Sequence, residues 1–220
     1  MSNLLFDPVK TQSRITREVI VAFSGGKESA ATLDMCSRYF DRVAAFFLYI
    51  CPNLSFQERQ LEWYEKRYGV DIIRLPHPMC SEFMRYGVFR DFDPNVPIIG
   101  INDVYAHVRR LTGMQWIAAG ERIDDSIVRR AMIKHSGTVD AKRGRFYPVA
   151  NWSKADIMRY IKLHNLRQGN DSRVLGFSFR GLEGRQLWAI KKHFPEDYEK
   201  LKALYPFCEG AVVRYERYGK

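Results

Sequence analysis

The stretch that decides the fold runs from residue 19 to residue 29 and reads VIVAF followed by SGGKES. Residues 19–23 form a continuous apolar run with a β-branched start, which is typical of a strand buried on both faces. The next residues, from Glu28 to Phe40, carry apolar side chains at helical spacing. A buried strand, a glycine-rich turn and a helix in this order predict the first unit of a mostly parallel sheet.

The same alternation of strand and helix continues along the chain. Further buried strands are predicted at 43–50, 70–75 and 115–119, and helices at 55–68, 102–111, 126–134 and from Ser153 onward. Capping boxes are expected at two helix starts, from the pairs Ser55 with Glu58 and Ser153 with Asp156. Residues 79–97 have a less regular pattern and are expected to form a substrate-side insertion or a lid. The fold class is therefore α/β, a mostly parallel twisted sheet with helices on both faces in a Rossmann-like three-layer arrangement. Such sheets bind ligands at the carboxyl ends of their strands.

Length and composition favour one ordered domain. The chain has 220 residues, of which 46% are hydrophobic, so an overall disordered state is excluded. We expect a single domain over residues 1–220, with a core at about 19–166 and a helical C-terminal extension at about 167–220. The longest apolar run, 43–51, is too short to span a bilayer, and the start MSNLLFDPVK lacks the pattern of a secretory signal. We therefore expect a cytoplasmic protein without membrane contact.

The net charge and the cysteines indicate which partners and cofactors to expect. Lys and Arg number 35 against 25 Asp and Glu, a net charge of +10, which indicates either a polyanionic partner or a basic surface that only aids solubility. The four cysteines, Cys36, Cys51, Cys80 and Cys208, form no C-x-x-C pair. The sequence thus predicts reduced thiols, and neither an iron–sulfur cluster nor a zinc site. Cys208, beside Glu209, is the one cysteine considered for a chemical role.

The loop SGGKES at 24–29 has the composition of a phosphate cradle. Gly25 and Gly26 allow a tight turn and a close approach of the backbone to a ligand. The free N–H groups at the start of the following helix favour an anion, and Lys27 adds a positive charge. The loop matches neither G-x-x-x-x-G-K-[ST] nor G-x-G-x-x-G. The alternative interpretation is a tight turn that binds nothing.

This loop resembles the SGGxDS pyrophosphate loop of the adenine nucleotide alpha hydrolase-like superfamily, the PP-loop ATP pyrophosphatases. The longer stretch VAFSGGKES is most similar to the phosphoadenosine phosphosulfate (PAPS) reductase family, which often reads FSGGKDS. Glu28 replaces the usual aspartate and keeps its charge. Two further segments resemble the same family, GERIDDSIVR at 120–129 and YPVANWSKADI at 147–157. The arrangement is also similar to short phage-encoded members of the family.

The resemblance implies an adenine nucleotide ligand, ATP or PAPS, together with Mg²⁺. The residues that it implies as nucleotide contacts are Ser24, Gly25, Gly26, Lys27, Glu28, Ser29, Gly120, Arg122, Asp125, Ser126 and Arg129. Lys27, Arg122 and Arg129 would neutralise phosphate charge during catalysis. Glu28 and Asp124 are the candidate ligands of Mg²⁺.

Three functions remain open at this point. The leading hypothesis is an enzyme that cleaves ATP between the α and β phosphates to adenylate an acceptor or transfer sulfur, with release of pyrophosphate. A second is a thiol-dependent PAPS reductase that uses Cys208, although PFCEGA at 206–211 does not match the E-C-G-x-H tail of that family. A third is a nucleic-acid-binding module with a relic nucleotide loop. The sequence leaves open whether the acceptor is a small molecule or a nucleic acid, and whether the chain forms a homo-oligomer.

Overall fold

A computed structural model describes residues 7–176 and 178–219 of the chain. These residues divide into two compact units. Among the described residues, the first unit comprises 7–47, Leu61–Ile73 and His107–Gln168, and the second comprises Leu48–Gln60, Arg74–Ala106, 169–176 and 178–219. The expectation of one domain, with a core at 19–166 and an extension at 167–220, stays a prediction.

The strands of the described residues form one sheet of mostly parallel strands. They are β1 (Glu18–Ala22), β2 (Arg42–Tyr49), β3 (Ile72–Pro76), β4 (Ile117–Ala119), β5 (Val139–Asp140) and β6 (Arg145–Phe146). Their order across the sheet is β3-β2-β1-β4-β6-β5. Strand β1 pairs in parallel with β2 and β4, β4 pairs in parallel with β6, and β5 is antiparallel to β6. The predicted α/β class with a mostly parallel sheet is confirmed.

Helices occupy most of the sequence between and after the strands. They are α1 (Asp7–Ile15), α2 (Lys27–Tyr39), α3 (Ser55–Tyr68), α4 (Pro78–Tyr86), α5 (Ile101–Thr112), α6 (Ile127–Ser136), α7 (Lys154–Leu163), α8 (Asn170–Val174), α9 (Gly184–His193), α10 (Pro195–Leu204) and α11 (Glu209–Tyr218). A short 3₁₀ turn, Pro206–Cys208, precedes α11. Among the residues that the structure describes, no helix has the length and apolar character needed to cross a bilayer.

The first unit is built around β1 and the helix that follows it. Val19, Ile20 and Val21 are fully buried, as the unbroken apolar run predicts. Helix α7 begins with the predicted capping box: the Ser153 hydroxyl accepts from the Asp156 N–H at 3.1 Å, and the Asp156 carboxylate accepts from the Ser153 N–H at 3.1 Å. This part of the fold follows from local sequence signals.

The second unit departs from the sequence prediction at two places. Ser55 is the first residue of α3, and its N–H and hydroxyl both donate to the Asp197 carboxylate, at 2.8 and 2.7 Å. Glu58 forms an ion pair with Arg74 at 3.1 Å. The predicted Ser55–Glu58 capping box is therefore wrong, because both side chains have partners distant in sequence. The stretch 79–97 is also more regular than predicted, since α4 occupies its first part.

Candidate functional site

The loop between β1 and α2 is held in shape by the Ser29 hydroxyl. The Ser24 N–H donates to Ser29 Oγ at 3.1 Å, and Ser29 Oγ donates to the Gly26 carbonyl at 3.0 Å. Gly25 has a φ of 74°, in the left-handed region that glycine adopts without strain. Gly26 is the N-cap of α2 and makes no side-chain capping bond. The first-turn amides of α2 therefore lack an intrahelical acceptor, and the positive end of the helix dipole lies at the loop.

Gly120 brings the segment after β4 directly against this loop. A Cβ atom at position 120 would lie 2.8 Å from the Ser29 amide nitrogen and 2.9 Å from the Glu28 carbonyl carbon. No side chain fits at these distances, so the close approach requires glycine. Because β1 and β4 are neighbouring parallel strands, their carboxyl ends lie at the same edge of the sheet. The structure thus brings together the two segments, 24–29 and 120–129, that the sequence singles out.

Arg122 ties the two segments to each other. Its guanidinium donates to Asp125 Oδ1 at 2.8 Å and to the Trp152 carbonyl at 3.1 Å. The backbone N–H of Arg122 also donates to Asp125 Oδ2, at 3.0 Å. The remaining Nε lies 3.7 Å from Glu28 Oε1, which is an ion pair rather than a hydrogen bond. Only 10% of this side chain is exposed, and among the described residues Nε has no hydrogen-bond acceptor. Nε is thus a buried donor without a hydrogen-bond acceptor, beside the Glu28 carboxylate.

Glu28 holds the two cations nearest the loop. Its Oε1 lies 3.0 Å from Lys27 Nζ and 3.7 Å from Arg122 Nε. The Lys27 side chain is about one-third exposed, and Glu28 is less exposed. Two cations that share one carboxylate oxygen are held in place before any ligand arrives.

The rest of the predicted set lies at the start of α6. Ser126 is its N-cap, and the Ser126 hydroxyl accepts from the Arg129 N–H at 3.2 Å, so this serine has a structural task. The Arg129 guanidinium lies 3.8 Å from Asp125 and is half-exposed.

The two residues proposed for magnesium have different surroundings. Glu28 is engaged by Lys27 and Arg122, whereas Asp124 is 64% exposed and lies 3.8 Å from Arg130. Within the described part of the chain, no three His, Cys, Asp or Glu side chains are grouped so as to hold a metal ion. The assignment of Glu28 and Asp124 to a metal stays a prediction.

One residue at this edge was missed by the sequence analysis. Glu121 lies between Gly120 and Arg122, immediately after β4. Burial raises the pKa of its carboxyl group, and the charges of Arg129 and Arg145 act in the opposite direction. Its place directly after a buried parallel strand is the signal that could have identified it.

Cys208 lies in the apolar core of the second unit. It is fully buried, in one cluster with Leu201, Tyr205 and Val212. Burial raises the pKa of its thiol, while a hydrogen bond with Tyr198 acts in the opposite direction. A thiol with a raised pKa is a poor nucleophile because little thiolate forms. A catalytic role for Cys208 stays a prediction, and the site geometry adds nothing in its favour.

Comparison with known families and curated proteins gives two matches. A model of the phosphoadenosine phosphosulfate reductase domain matches residues 18–169, which include both the loop and the segment 120–129. An uncharacterized protein of Methanocaldococcus jannaschii, MJ0066, is 26% identical over 201 residues, which are 86% of this chain and 42% of that protein. The chain thus spans about two-fifths of the length of this curated relative.

Solved structures of other proteins share the fold. The PAPS reductase of Candida auris, solved as a phosphate complex, has a TM-score of 0.55 and 14% identity over 80% of this chain and 87% of its own. The U34-tRNA thiolase NcsA of Methanococcus maripaludis, solved with its [4Fe-4S] cluster, has a TM-score of 0.50 and 13% identity over 93% of this chain and 79% of its own. These similarities confirm the adenine nucleotide alpha hydrolase-like fold.

The expectation about cofactors is corrected by these comparisons. We expected ATP or PAPS with Mg²⁺, and neither an iron–sulfur cluster nor zinc. NcsA has the same fold and carries a [4Fe-4S] cluster, so cysteine spacing is not a sound reason to exclude a cluster from this fold. In this chain all four cysteines are buried, and the sulfurs of Cys51 and Cys80 donate to backbone carbonyls.

Proposed function

Because this chain belongs to the phosphoadenosine phosphosulfate reductase domain family, we propose that it cleaves ATP between the α and β phosphates and activates an acceptor as its adenylate or for sulfur transfer. The family match supports an enzyme that uses an adenine nucleotide, and the specific reaction is our proposal. One observation carries it. The buried Arg122 is fixed against the loop by Asp125, Trp152 and Glu28, and its Nε is left without an acceptor.

The proposed reaction is a displacement at the α phosphorus of ATP. A nucleophilic atom of the acceptor attacks this phosphorus and forms a new bond to it. The bond to the oxygen that bridges the α and β phosphates breaks, and pyrophosphate leaves with the electron pair. The acceptor carries AMP after this step, and a later attack on the adenylate would release AMP.

The residues at the loop match the demands of this step. Negative charge grows on the departing pyrophosphate, and fixed donors that face it lower the barrier. We assign this role to the first-turn amides of α2, Lys27 and the Nε of Arg122, which has no hydrogen-bond acceptor among the described residues. Glu28 and Asp125 keep the cations positioned, so that little reorganisation is needed when the nucleotide binds. No nucleophile from the protein is required.

The rival PAPS reductase reaction would use the same phosphate contacts but needs a thiolate. Cys208 would have to attack the sulfate sulfur, and it is fully buried with a raised thiol pKa. Adenylation by ATP requires no thiolate, and for this reason we favour it.

Equilibrium binding tests the nucleotide site directly. Isothermal titration of the full chain with ATP, with its α,β-methylene analogue and with PAPS should detect binding of at least one adenine nucleotide. Replacement Lys27→Ala removes one charged contact and should weaken ATP binding by about 10- to 100-fold. Lys66→Ala, at an exposed lysine of α3, is the matched control and should leave the affinity unchanged. Failure of the unmodified protein to bind any adenine nucleotide would contradict the proposal.

The reaction itself is tested by pyrophosphate release. Release from ATP, coupled to a pyrophosphatase assay, should require an added acceptor and should stop when the α,β-methylene analogue replaces ATP. Lys27→Ala should lower the rate and Lys66→Ala should not. Release of phosphate in place of pyrophosphate would show that the bond between the β and γ phosphates is cleaved, and would overturn the proposed reaction.

A further inference from the structure

Most of the net positive charge of the chain comes from one stretch of the first unit. Residues 127–167 contain ten Lys or Arg and two Asp, a net charge of +8, whereas the other 179 residues together carry +2. A basic surface that served only solubility would not need this concentration. The stretch begins with α6, which contains four basic side chains and no acidic one.

Helix α6 exposes apolar side chains beside its cations. Ile127 is 84% exposed and Val128 is 77% exposed, although both open a helix whose Ile133 is buried. Arg130 and Lys134 are exposed on the same helix, at the i, i+3 and i+7 spacing from Ile127 that places residues on one face. We call the four residues Ile127, Val128, Arg130 and Lys134 the α6 surface.

The cations of the α6 surface are weakly neutralised by the protein. The Arg130 guanidinium lies 3.8 Å from Asp124, and both side chains are more than half exposed. Such a pair contributes little stability. Lys134 has no acidic partner in the part of the chain that the structure describes. Both charges are therefore available to an anionic partner.

The α6 surface lies on the same helix as a residue of the candidate nucleotide site. Ile127 follows Ser126 directly, and Ser126 follows Asp125, which holds Arg122 at 2.8 Å. Arg129, which we propose as a phosphate contact, lies between Val128 and Arg130 in α6. An acceptor on this surface would therefore lie close to residues that we propose for the phosphates of ATP.

We propose that the α6 surface binds single-stranded nucleic acid, which is the acceptor in the reaction proposed above; the inference rests on that proposed function. Arg130 and Lys134 contact backbone phosphates, and Ile127 and Val128 pack against unstacked bases. A bilayer would require a larger apolar face than two aliphatic side chains. An acidic protein would use the cations but gives no role to aliphatic side chains beside a nucleotide site.

Fluorescence anisotropy with a labelled single-stranded RNA of roughly 20 nucleotides tests this surface. The unmodified chain should bind it with an affinity that falls as salt rises. The double replacement Arg130→Glu with Lys134→Glu should weaken binding by about tenfold or more and reduce the salt dependence. Arg59→Glu with Lys66→Glu, at exposed positions of α3, changes the net charge equally and should retain the affinity. An equal loss in both double variants would overturn the proposal.

A second variant tests the apolar half of the surface without changing charge. Ile127→Ser with Val128→Ser alters two exposed side chains, so the fold should be kept, which circular dichroism would verify. RNA binding should weaken, with less effect on a duplex of the same length, whose bases are stacked. If poly-L-glutamate or phosphatidylserine vesicles bind the unmodified chain as tightly as the RNA, the partner is an acidic protein or a membrane and the proposal fails.

ATP binding in the same samples separates the two proposals. Neither Arg130 nor Lys134 belongs to the nucleotide site, so their double variant should bind ATP normally. A chain that binds ATP but not RNA would overturn the α6 surface and leave the proposed function standing. A chain that binds RNA through α6 but no adenine nucleotide would overturn the proposed function, and with it the role of the RNA as acceptor.

Discussion

The glycine-rich loop of the first unit and the cysteine-containing core of the second unit differ in their polar groups. The loop holds charged groups, one of them without a hydrogen-bond acceptor, whereas the core holds neutral thiols among apolar side chains. At the loop, Lys27 and Arg122 share one carboxylate, and a buried Nε has no acceptor among the described residues. In the second unit, Cys80 donates to the Tyr49 and Ile50 carbonyls, and Cys208 is fully buried in an apolar cluster.

The difference shows where chemistry can occur in this molecule. Buried donors without acceptors cost free energy unless a ligand satisfies them, which supports the proposal of an anion site at the loop. Buried thiols with raised pKa values are inert, and burial raises the pKa of Cys51 to about 12. The comparison favours catalysis by charge stabilisation over catalysis by a cysteine.

The largest effect is expected from adding a side chain at Gly120, where the two segments of the site meet. Gly120→Ala places a methyl group 2.8 Å from the Ser29 nitrogen, so the loop and the segment after β4 must separate. A displacement of this size should weaken ATP binding by about 100-fold, measured by isothermal titration. The control is Gly210→Ala in α11, where a Cβ meets nothing within 4 Å; it should preserve ATP binding and stabilise the chain by up to about 1 kcal/mol. Unchanged ATP affinity in Gly120→Ala would mean that the close approach of Gly120 to the loop is not needed for ATP binding.

The next largest effect concerns the buried carboxylate of the first unit. Burial alone would raise the pKa of Asp34, but hydrogen bonds from Arg38, Tyr160 and Tyr68 outweigh it and hold the pKa below its ordinary value of 3.8. A lowered pKa in the folded state means that the ionised group contributes stability above about pH 4, which is lost as the pH falls through the folded-state pKa. Asp34→Asn should therefore lower the free energy of unfolding by roughly 2–4 kcal/mol at pH 7.

Denaturant unfolding at several pH values checks this prediction. The difference between the unmodified chain and Asp34→Asn should shrink as the pH falls from 4 to 2, because protonation removes the same interactions from the unmodified chain. Asp197 of the second unit also has a lowered pKa: burial would raise it, and hydrogen bonds from Lys200 and Ser55 outweigh that effect. Asp197→Asn should therefore show the same pH trend. A difference that stays constant with pH would mean that neither carboxylate acts through its charge.

The parts predicted correctly from sequence are those with local signals. Strand β1, the loop and α2 follow from an apolar run, two adjacent glycines and helical spacing. The capping box of Ser153 and Asp156 also depends on residues three positions apart. Positions 24–29 and 120–129 were expected at one sheet edge because parallel strands align their carboxyl ends, and the structure places them there.

The parts that were missed depend on partners distant in sequence or on ambiguous signals. Ser55 binds Asp197, 142 positions away, which no local rule indicates. Residues 79–97 were expected to be irregular, yet α4 runs from Pro78 to Tyr86 and the His77 side chain caps it. The reason for glycine at position 120, its approach to Ser29, likewise exists only in three dimensions.

The smallest effect on activity is expected from the cysteine of the second unit, and it is the sharpest test of the comparison. Cys208→Ser keeps the volume but buries a hydroxyl group, so it should lower the free energy of unfolding by about 1–2 kcal/mol. ATP binding and pyrophosphate release should stay within about twofold of the unmodified chain, since the proposed reaction uses no thiolate. Cys36→Ser, at a fully buried thiol of the first unit, is the matched control for the cost of burial.

These two serine variants distinguish packing from chemistry because both replace fully buried thiols. Equal losses of stability with unchanged activity would show that Cys208 serves packing alone. A tenfold or larger loss of turnover in Cys208→Ser, with normal ATP affinity and no such loss in Cys36→Ser, would assign the chemistry to the second unit. In that case the thiol must become exposed during the reaction, because in the structure it is fully buried and burial raises its pKa. Alkylation of Cys208 that is faster with PAPS present than without it would detect that exposure.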